Sequence, residues 1–237
     1  MTSLLRNGAV FLHIPKTGGS WVTKVLKHLD LVKTHVGHEH GTFDRIFWRD
    51  RFQRDGKIFR QILRRAVGLS TTPVIPSDCF RFCFVREPLA WYESFWRFAQ
   101  NRDWTPLGNE RDPCRWHPNA LLNFLGSPDF NTFVHNVNRK RPGYVTEMYG
   151  WYVQPGIGFV GKMERLDRDL AKVFSLMKLD VDSSRIAAVP PHNESPACIP
   201  KPEWDPELRK ETLRLEYAGY VRFGYPVEEA QLRAFAA

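Results

Sequence analysis

Residues 9–21, Ala-Val-Phe-Leu-His-Ile-Pro-Lys-Thr-Gly-Gly-Ser-Trp, constrain this chain more than any other stretch. Ala9, Val10, Phe11 and Leu12 run without a polar break, the pattern of a strand buried on both faces of a parallel sheet. Pro15 ends that strand, and Gly18 and Gly19 permit a tight turn and a close backbone approach to a ligand. The spacing predicts a helix from about Ser20, with Trp21, Val22, Val25, Leu26 and Leu29 on one face. Strand, small-residue turn and helix N-terminus together aim backbone N–H groups and the positive end of a helix dipole at one place. Lys16 adds a full charge, so the expectation is a site for an anion. Two common nucleotide motifs are excluded. In Walker A the glycine-rich turn precedes the lysine, whereas here the lysine comes first, and Gly-x-Gly-x-x-Gly is absent.

A second unit of the same kind spans Phe80-Arg81-Phe82-Cys83-Phe84-Val85-Arg86-Glu87-Pro88. Phe80, Phe82 and Phe84 alternate, and the residues between them are not strongly polar, which predicts a central strand. Pro88 suits the first turn of a helix, whose core stripe is Leu89, Tyr92, Phe95, Trp96 and Ala99. Arg86 then stands at the carboxyl end of the strand and Ser94 within the helix. A planar guanidinium grips two phosphate oxygens, and a hydroxyl supplies a further contact.

These residues carry a family resemblance. His-Ile-Pro-Lys-Thr-Gly-Gly-Ser at 13–20 resembles the 5′-phosphosulfate loop of sulfotransferases that use 3′-phosphoadenosine 5′-phosphosulfate (PAPS). The flavour is that of the carbohydrate (2-O- and 6-O-sulfotransferase-like) branch. Arg86 with Ser94 is similar to the family's 3′-phosphate motif, although Glu87 stands where Asp or Asn is usual. Weaker likenesses follow at Val160-Gly161-Lys162-Met163-Glu164, at Pro191-His192-Asn193-Glu194-Ser195, and at Tyr217 to Tyr225, where the family's acid is missing. The resemblance implies a three-layer α/β/α fold around a central parallel sheet, related to P-loop nucleotide kinases. It also implies PAPS as donor, PAP as product and no metal. The implied donor site comprises Lys16, Thr17, Gly18, Gly19, Ser20, Trp21, Arg86, Ser94 and Ser195, with Lys16 stabilising the leaving phosphate. Trp21 matches an adenine-stacking position and equally suits the helix core.

The base is sought in Leu31-Val32-Lys33-Thr34-His35-Val36-Gly37-His38-Glu39-His40, whose start reads as a second short strand. A neutral imidazole takes a proton from an acceptor hydroxyl near pH 7. The resemblance favours His40, then His38, then His35. Zinc has no further ligand cluster of suitable spacing. Glu164 reads as a structural acid or a neighbour of the site.

Elsewhere, Ile58, Ile62, Leu63 and Ala66 have helical spacing, with Arg60, Arg64 and Arg65 forming a solvated face or a basic wall for an acidic acceptor. The loop 101–118 contains Trp104 and Trp116, which pack in the core or stack on sugar rings. Helical segments are expected at 119–125, 129–137 and 206–217, and one capped near Asp167; Met148 to Tyr152 stay unassigned. A length of 237 residues with 43% hydrophobic content and 17 Phe suits one domain, 1–237. The net charge of +8 fits an anionic ligand, an acidic polymer or a membrane surface. No stretch reaches the ~20 apolar residues of a membrane span, and no signal peptide is read before the first strand. Cys79, Cys83, Cys114 and Cys198 read as free thiols. Together these point to a cytoplasmic protein. The acceptor is expected to be a hydroxyl on a carbohydrate. The rivals are a nucleotide or nucleoside kinase on the same fold class and a non-enzymatic polyanion-binding protein. No nucleic-acid motif is present.

Overall fold

The computed structural model describes residues 2–37, 39–46, 75, 78–108, 116–190 and 199–227. Strand β1 (Ser3–Leu5) turns back through Arg6, Asn7 and Gly8 into β2 (Val10–Leu12). Gly8 takes a φ of 87°, a left-handed conformation that the tight reversal requires. Helix α1 (Gly19–His28) follows, then β3 (Val32–His35), which pairs antiparallel with β1. Strand β4 (Arg81–Val85) lies parallel to β2, and β5 (Phe159–Lys162) lies parallel to β4. The order is β3-β1-β2-β4-β5.

The protein is therefore a mixed α/β fold with a 5-stranded mixed sheet. The expectation of a parallel sheet holds for β2, β4 and β5 and fails for β1. A turn as short as Arg6–Gly8 can only return the chain antiparallel, since a parallel crossover needs a dozen residues or more. The sequence reading began the sheet at Ala9 and missed β1, whose residues Ser3, Leu4 and Leu5 are all buried.

Alternation sorts the central strands onto two faces. Val10, Leu12, Cys83 and Val85 join one apolar cluster with α2 (Pro88–Gln100), α3 (Phe130–Lys140) and α4 (Tyr144–Tyr152). Phe11, Phe82 and Phe84 join the other with α1 and α5 (Leu166–Leu176). Every residue of β4 is buried, as a central strand demands. The short helices α6 (Ser183–Ala187), α7 (Pro206–Leu215) and α8 (Tyr217–Phe223) complete the described elements, with 3₁₀ turns at Pro118–Leu122 and Met163–Arg165.

Two local readings are corrected. Helix α5 is not capped by Asp167; Arg165 precedes it with no side-chain cap, and the buried Asp169 instead accepts the Lys162 N–H at 2.7 Å and Arg165 Nε at 2.9 Å. The unassigned Met148 to Tyr152 cluster is the second half of α4. That helix starts at Gly143 (φ 70°), which offers no capping side chain. Glu216 caps it from a distance, accepting the Val145 N–H at 3.0 Å and the Thr146 N–H at 2.8 Å. The same carboxylate takes the Tyr92 hydroxyl at 2.8 Å and the Thr146 hydroxyl at 2.6 Å, so its buried charge is fully hydrogen-bonded.

Candidate functional site

The carboxyl ends of β2 and β4 lie side by side, because Leu12 pairs with Cys83. Their outgoing turns therefore meet. The β2 turn is pinned from outside: Trp91 Nε1 donates to the Pro15 carbonyl at 2.9 Å, and the Thr17 hydroxyl donates to Ile14 O at 3.0 Å. Within it Lys16 (φ 67°) and Gly18 (φ 78°) are both left-handed. For a lysine this is a strained state. Alternating hands turn successive N–H groups into one concavity, the backbone form that binds anions. Among the described residues, the N–H groups of Lys16, Thr17, Gly18, Gly19 and Ser20 donate to no backbone acceptor.

The Lys16 ammonium sits 4.5 Å from the centre of the Phe98 ring. Burial pushes its pKa from 10.5 down to about 8, helped by Arg86 and Arg97. No carboxylate forms an ion pair with Lys16 or Arg86 among the described residues. Arg86 is placed through its backbone: Tyr149 Oη donates to its carbonyl at 2.9 Å and accepts its N–H at 3.1 Å. Ser94 lies buried on α2, and Arg97 and Phe98 fall on the same helical face three and four residues on. Arg97 is steadied by Nε and Nη2 bonds to the Ile199 carbonyl at 2.9 and 2.6 Å.

His40 reaches the β2 turn from the other side. Its Nδ1 lies 3.0 Å from the His13 carbonyl. A carbonyl only accepts, so Nδ1 carries the proton and Nε2 keeps its lone pair. Tyr152 Oη donates to the His40 carbonyl at 2.6 Å. The His13 and His40 rings are 4.5 Å apart, and His40 and His117 are 4.8 Å apart. His117 Nδ1 accepts the Asn119 N–H at 3.1 Å. Burial holds all three imidazoles neutral, with His40 at about 4, His117 at about 3 and His13 well below its ordinary value. Helix α4 supports three of these segments at once, since Tyr144 Oη donates to Pro118 O at 2.9 Å, next to His117.

Beyond His117 opens a cleft of about 520 Å³. Trp116 and Trp151 supply flat apolar surface, and Arg45, Asp44, Arg141 and Glu147 supply charge. Arg45 stacks on Trp116 at 4.3 Å.

The remaining candidates fall as follows. Gly18 packs so closely that a Cβ there would meet Leu166 Cδ2 at 2.6 Å. Ser20 stands half-buried in the first turn of α1. Trp21 is half-buried and its indole N–H donates to Val189 O at 3.0 Å. His35 ends the edge strand β3, with Nδ1 at 3.1 Å from the Ser3 hydroxyl, and is separated from β2 by β1. Trp104 packs against the core; Trp116 lines the cleft. Glu164 is exposed, and accepts the Glu87 N–H at 2.7 Å and the Tyr225 hydroxyl at 3.1 Å. His38 and Ser195 lie outside the described residues, as do Arg60, Arg64, Arg65, Cys114 and Cys198. Sequence reasoning passed over His13, Arg97, Phe98, His117 and the α4 tyrosines. Arg97 and Phe98 were legible as helical neighbours of Ser94; His117 lay in a long loop, a usual seat of function.

In comparisons with known proteins, no family model, no curated protein and no solved structure matches the chain. No helix among the described residues is long and apolar enough to cross a membrane.

Proposed function

We propose that this protein moves a sulfuryl group from PAPS to an acceptor hydroxyl, on a carbohydrate. The observation that carries the reading is Lys16: a half-buried ammonium with no carboxylate partner among the described residues, at the head of unpaired backbone N–H groups, with Arg86 beside it. In this reading the parallel strands β2, β4 and β5, with helices on both faces, are the centre of a three-layer α/β/α fold akin to the P-loop nucleotide kinases. The free thiols of Cys79 and Cys83 suit action in the cytoplasm.

The 5′-phosphosulfate occupies the concavity of residues 16–20, and the 3′-phosphate lies against Arg86 and Ser94. Trp21, half-buried in the first turn of α1, is the proposed flat surface for the adenine. The acceptor oxygen attacks sulfur as the bond from sulfur to the bridging phosphate oxygen breaks, leaving PAP. Negative charge develops on that oxygen, where Lys16 and the N–H groups of residues 17–20 are preorganised to receive it. The acceptor proton passes to His40 Nε2, whose availability follows from the Nδ1–H bond to His13 O. The incoming anions raise the proton affinity of His40 and so improve it as a base. The cleft beyond His117 holds the acceptor ring against Trp116 or Trp151.

Radiolabelled PAPS, incubated with the protein and a panel of glycans, lipids and small hydroxylic metabolites, tests this. Label transferred to a glycan, and lost in K16A, is the expected result. No transfer to any acceptor, with thermal stabilisation by ATP–Mg²⁺ and none by PAP, would favour the kinase reading instead.

A further inference from the structure

The chemistry of His40 is not exhausted by a proton. A nitrogen of His13, a carboxylate oxygen of Glu39 and a nitrogen of His40 all lie within 4.8 Å of one another. Two imidazoles and a carboxylate form a ligand set used for zinc with an open coordination position. A ligating histidine commonly donates its second N–H to a backbone carbonyl, which fixes the tautomer and sharpens the lone pair. His40 already has that bond, through Nδ1 to His13 O at 3.0 Å.

The backbone around this set is held from several sides. Thr2 N–H donates to the Glu39 carbonyl at 3.0 Å, Thr2 Oγ1 donates to the Gly41 carbonyl at 3.2 Å, and Tyr152 Oη donates to the His40 carbonyl at 2.6 Å. His13 is wedged over Gly19, where an added Cβ would stand 2.0 Å from its Cδ2. The histidines are thus fixed and the carboxylate is the adjustable member. Tetrahedral zinc at about 2.1 Å from each ligand needs ligand atoms roughly 3.4 Å apart. The candidate atoms lie within 4.8 Å of one another, so an ion would draw them together, and the exposed Glu39 side chain is the freest to move. His117 is a neighbour and not a ligand in this geometry, because its Nδ1 is occupied by the Asn119 N–H.

We infer that His13, Glu39 and His40 form a binding site for a divalent transition-metal ion of the zinc class. Magnesium, which prefers an octahedron of oxygens, is not its ligand. The ion takes the His40 Nε2 lone pair. On the reading of His40 as the base, which this consequence rests on, zinc inhibits sulfuryl transfer.

The test uses the full chain, stripped with a chelator and titrated with Co²⁺, whose visible absorption reports tetrahedral nitrogen and oxygen ligation. Zn²⁺ should displace the cobalt and Mg²⁺ should not. E39Q, which removes a proposed ligand, should weaken binding by at least the roughly 10-fold that even an outer-shell change costs, while its metal-free melting temperature stays at the wild-type value. E211Q, which alters an exposed carboxylate on α7, should bind as wild type does. Absence of saturable cobalt binding, or binding that E39Q leaves unchanged, would overturn the inference. Saturable binding in a protein that transfers no label from PAPS would uphold the metal site and remove the transfer reading, so the two fail separately.

Discussion

The turns after β2 and β4 have the same topology and opposite economies of hydrogen bonding. After β4, Glu87 caps α2 with its own carboxylate, accepting the Ala90 N–H at 2.5 Å, and Pro88 removes a donor at the first helical position. Burial pushes the Glu87 carboxyl up, and the cap bonds oppose that push. After β2, α1 has Gly18 as N-cap with no side-chain bond and no acid in its first turn. One helix end is satisfied by its own chain, while the other is left open and backed by a half-buried lysine. The lesson is that a strand-turn-helix is not by itself an anion site. The β4 unit offers an anion only its side chains, Arg86 and Ser94, whereas the β2 unit offers its backbone.

That contrast breaks most readily at Lys16. K16A should lower turnover by about 10²–10³-fold, the usual loss when one stabilising group for developing charge is removed. Circular dichroism should show the fold intact. The open turn also carries a stability cost that the capped one lacks. Lys16 falls from 10.5 to about 8 in the folded protein. Between those values the unfolded chain binds the extra proton, so stability rises with pH across that window and is lost again as pH falls to about 8. The penalty at pH 7 is about 3 kcal/mol. K16M should therefore melt higher than the wild type at pH 7 without ligand, a gain that vanishes above pH 10.5. Donor affinity should run the other way, weakening as pH rises through about 8, where Lys16 loses its charge.

At the next level down, Y149F sharpens the comparison from the β4 side. It leaves the Arg86 N–H and carbonyl without their partner, at about 1–3 kcal/mol. PAP binding should weaken more than AMP binding, because the proposed 3′-phosphate contact through Arg86 is the one displaced. G19A should cost a similar amount, about 1–3 kcal/mol, since its methyl meets the His13 ring at 2.0 Å. The smallest effect belongs to E87A, about 1 kcal/mol of helix stability with PAP affinity little changed, both measurable by denaturant titration and calorimetry.

Much of this was legible because it is local. The unbroken run Ala9–Leu12 and the alternating Phe80, Phe82 and Phe84 specified two strands, and Pro88 with its stripe specified α2. Lys16, Gly18, Gly19 and Arg86 could be named because turn chemistry sits within a few residues. What escaped was set by distant partners. β1 is three residues long and gains its place only by pairing with two other strands. Glu216 caps a helix more than 70 residues before it, and Tyr144, Tyr149 and Tyr152 look like core aromatics until their hydroxyls find backbone atoms of the site. His13 stood inside the quoted motif, yet its pairing with His40 spans a gap that no periodicity encodes.

On the proposed reading the two turns divide one nucleotide between them, the open turn taking the 5′ end and Arg86 with Ser94 the 3′-phosphate. Isothermal calorimetry of PAP against 5′-AMP, on wild type and R86Q, tests it most directly. The wild type should bind PAP at least about tenfold more tightly than 5′-AMP, a charge-assisted phosphate contact being worth about 1.5–3 kcal/mol, and R86Q should bind the two nucleotides near-equally. Equal affinities in the wild type, or a preference for PAP that survives in R86Q, would contradict it.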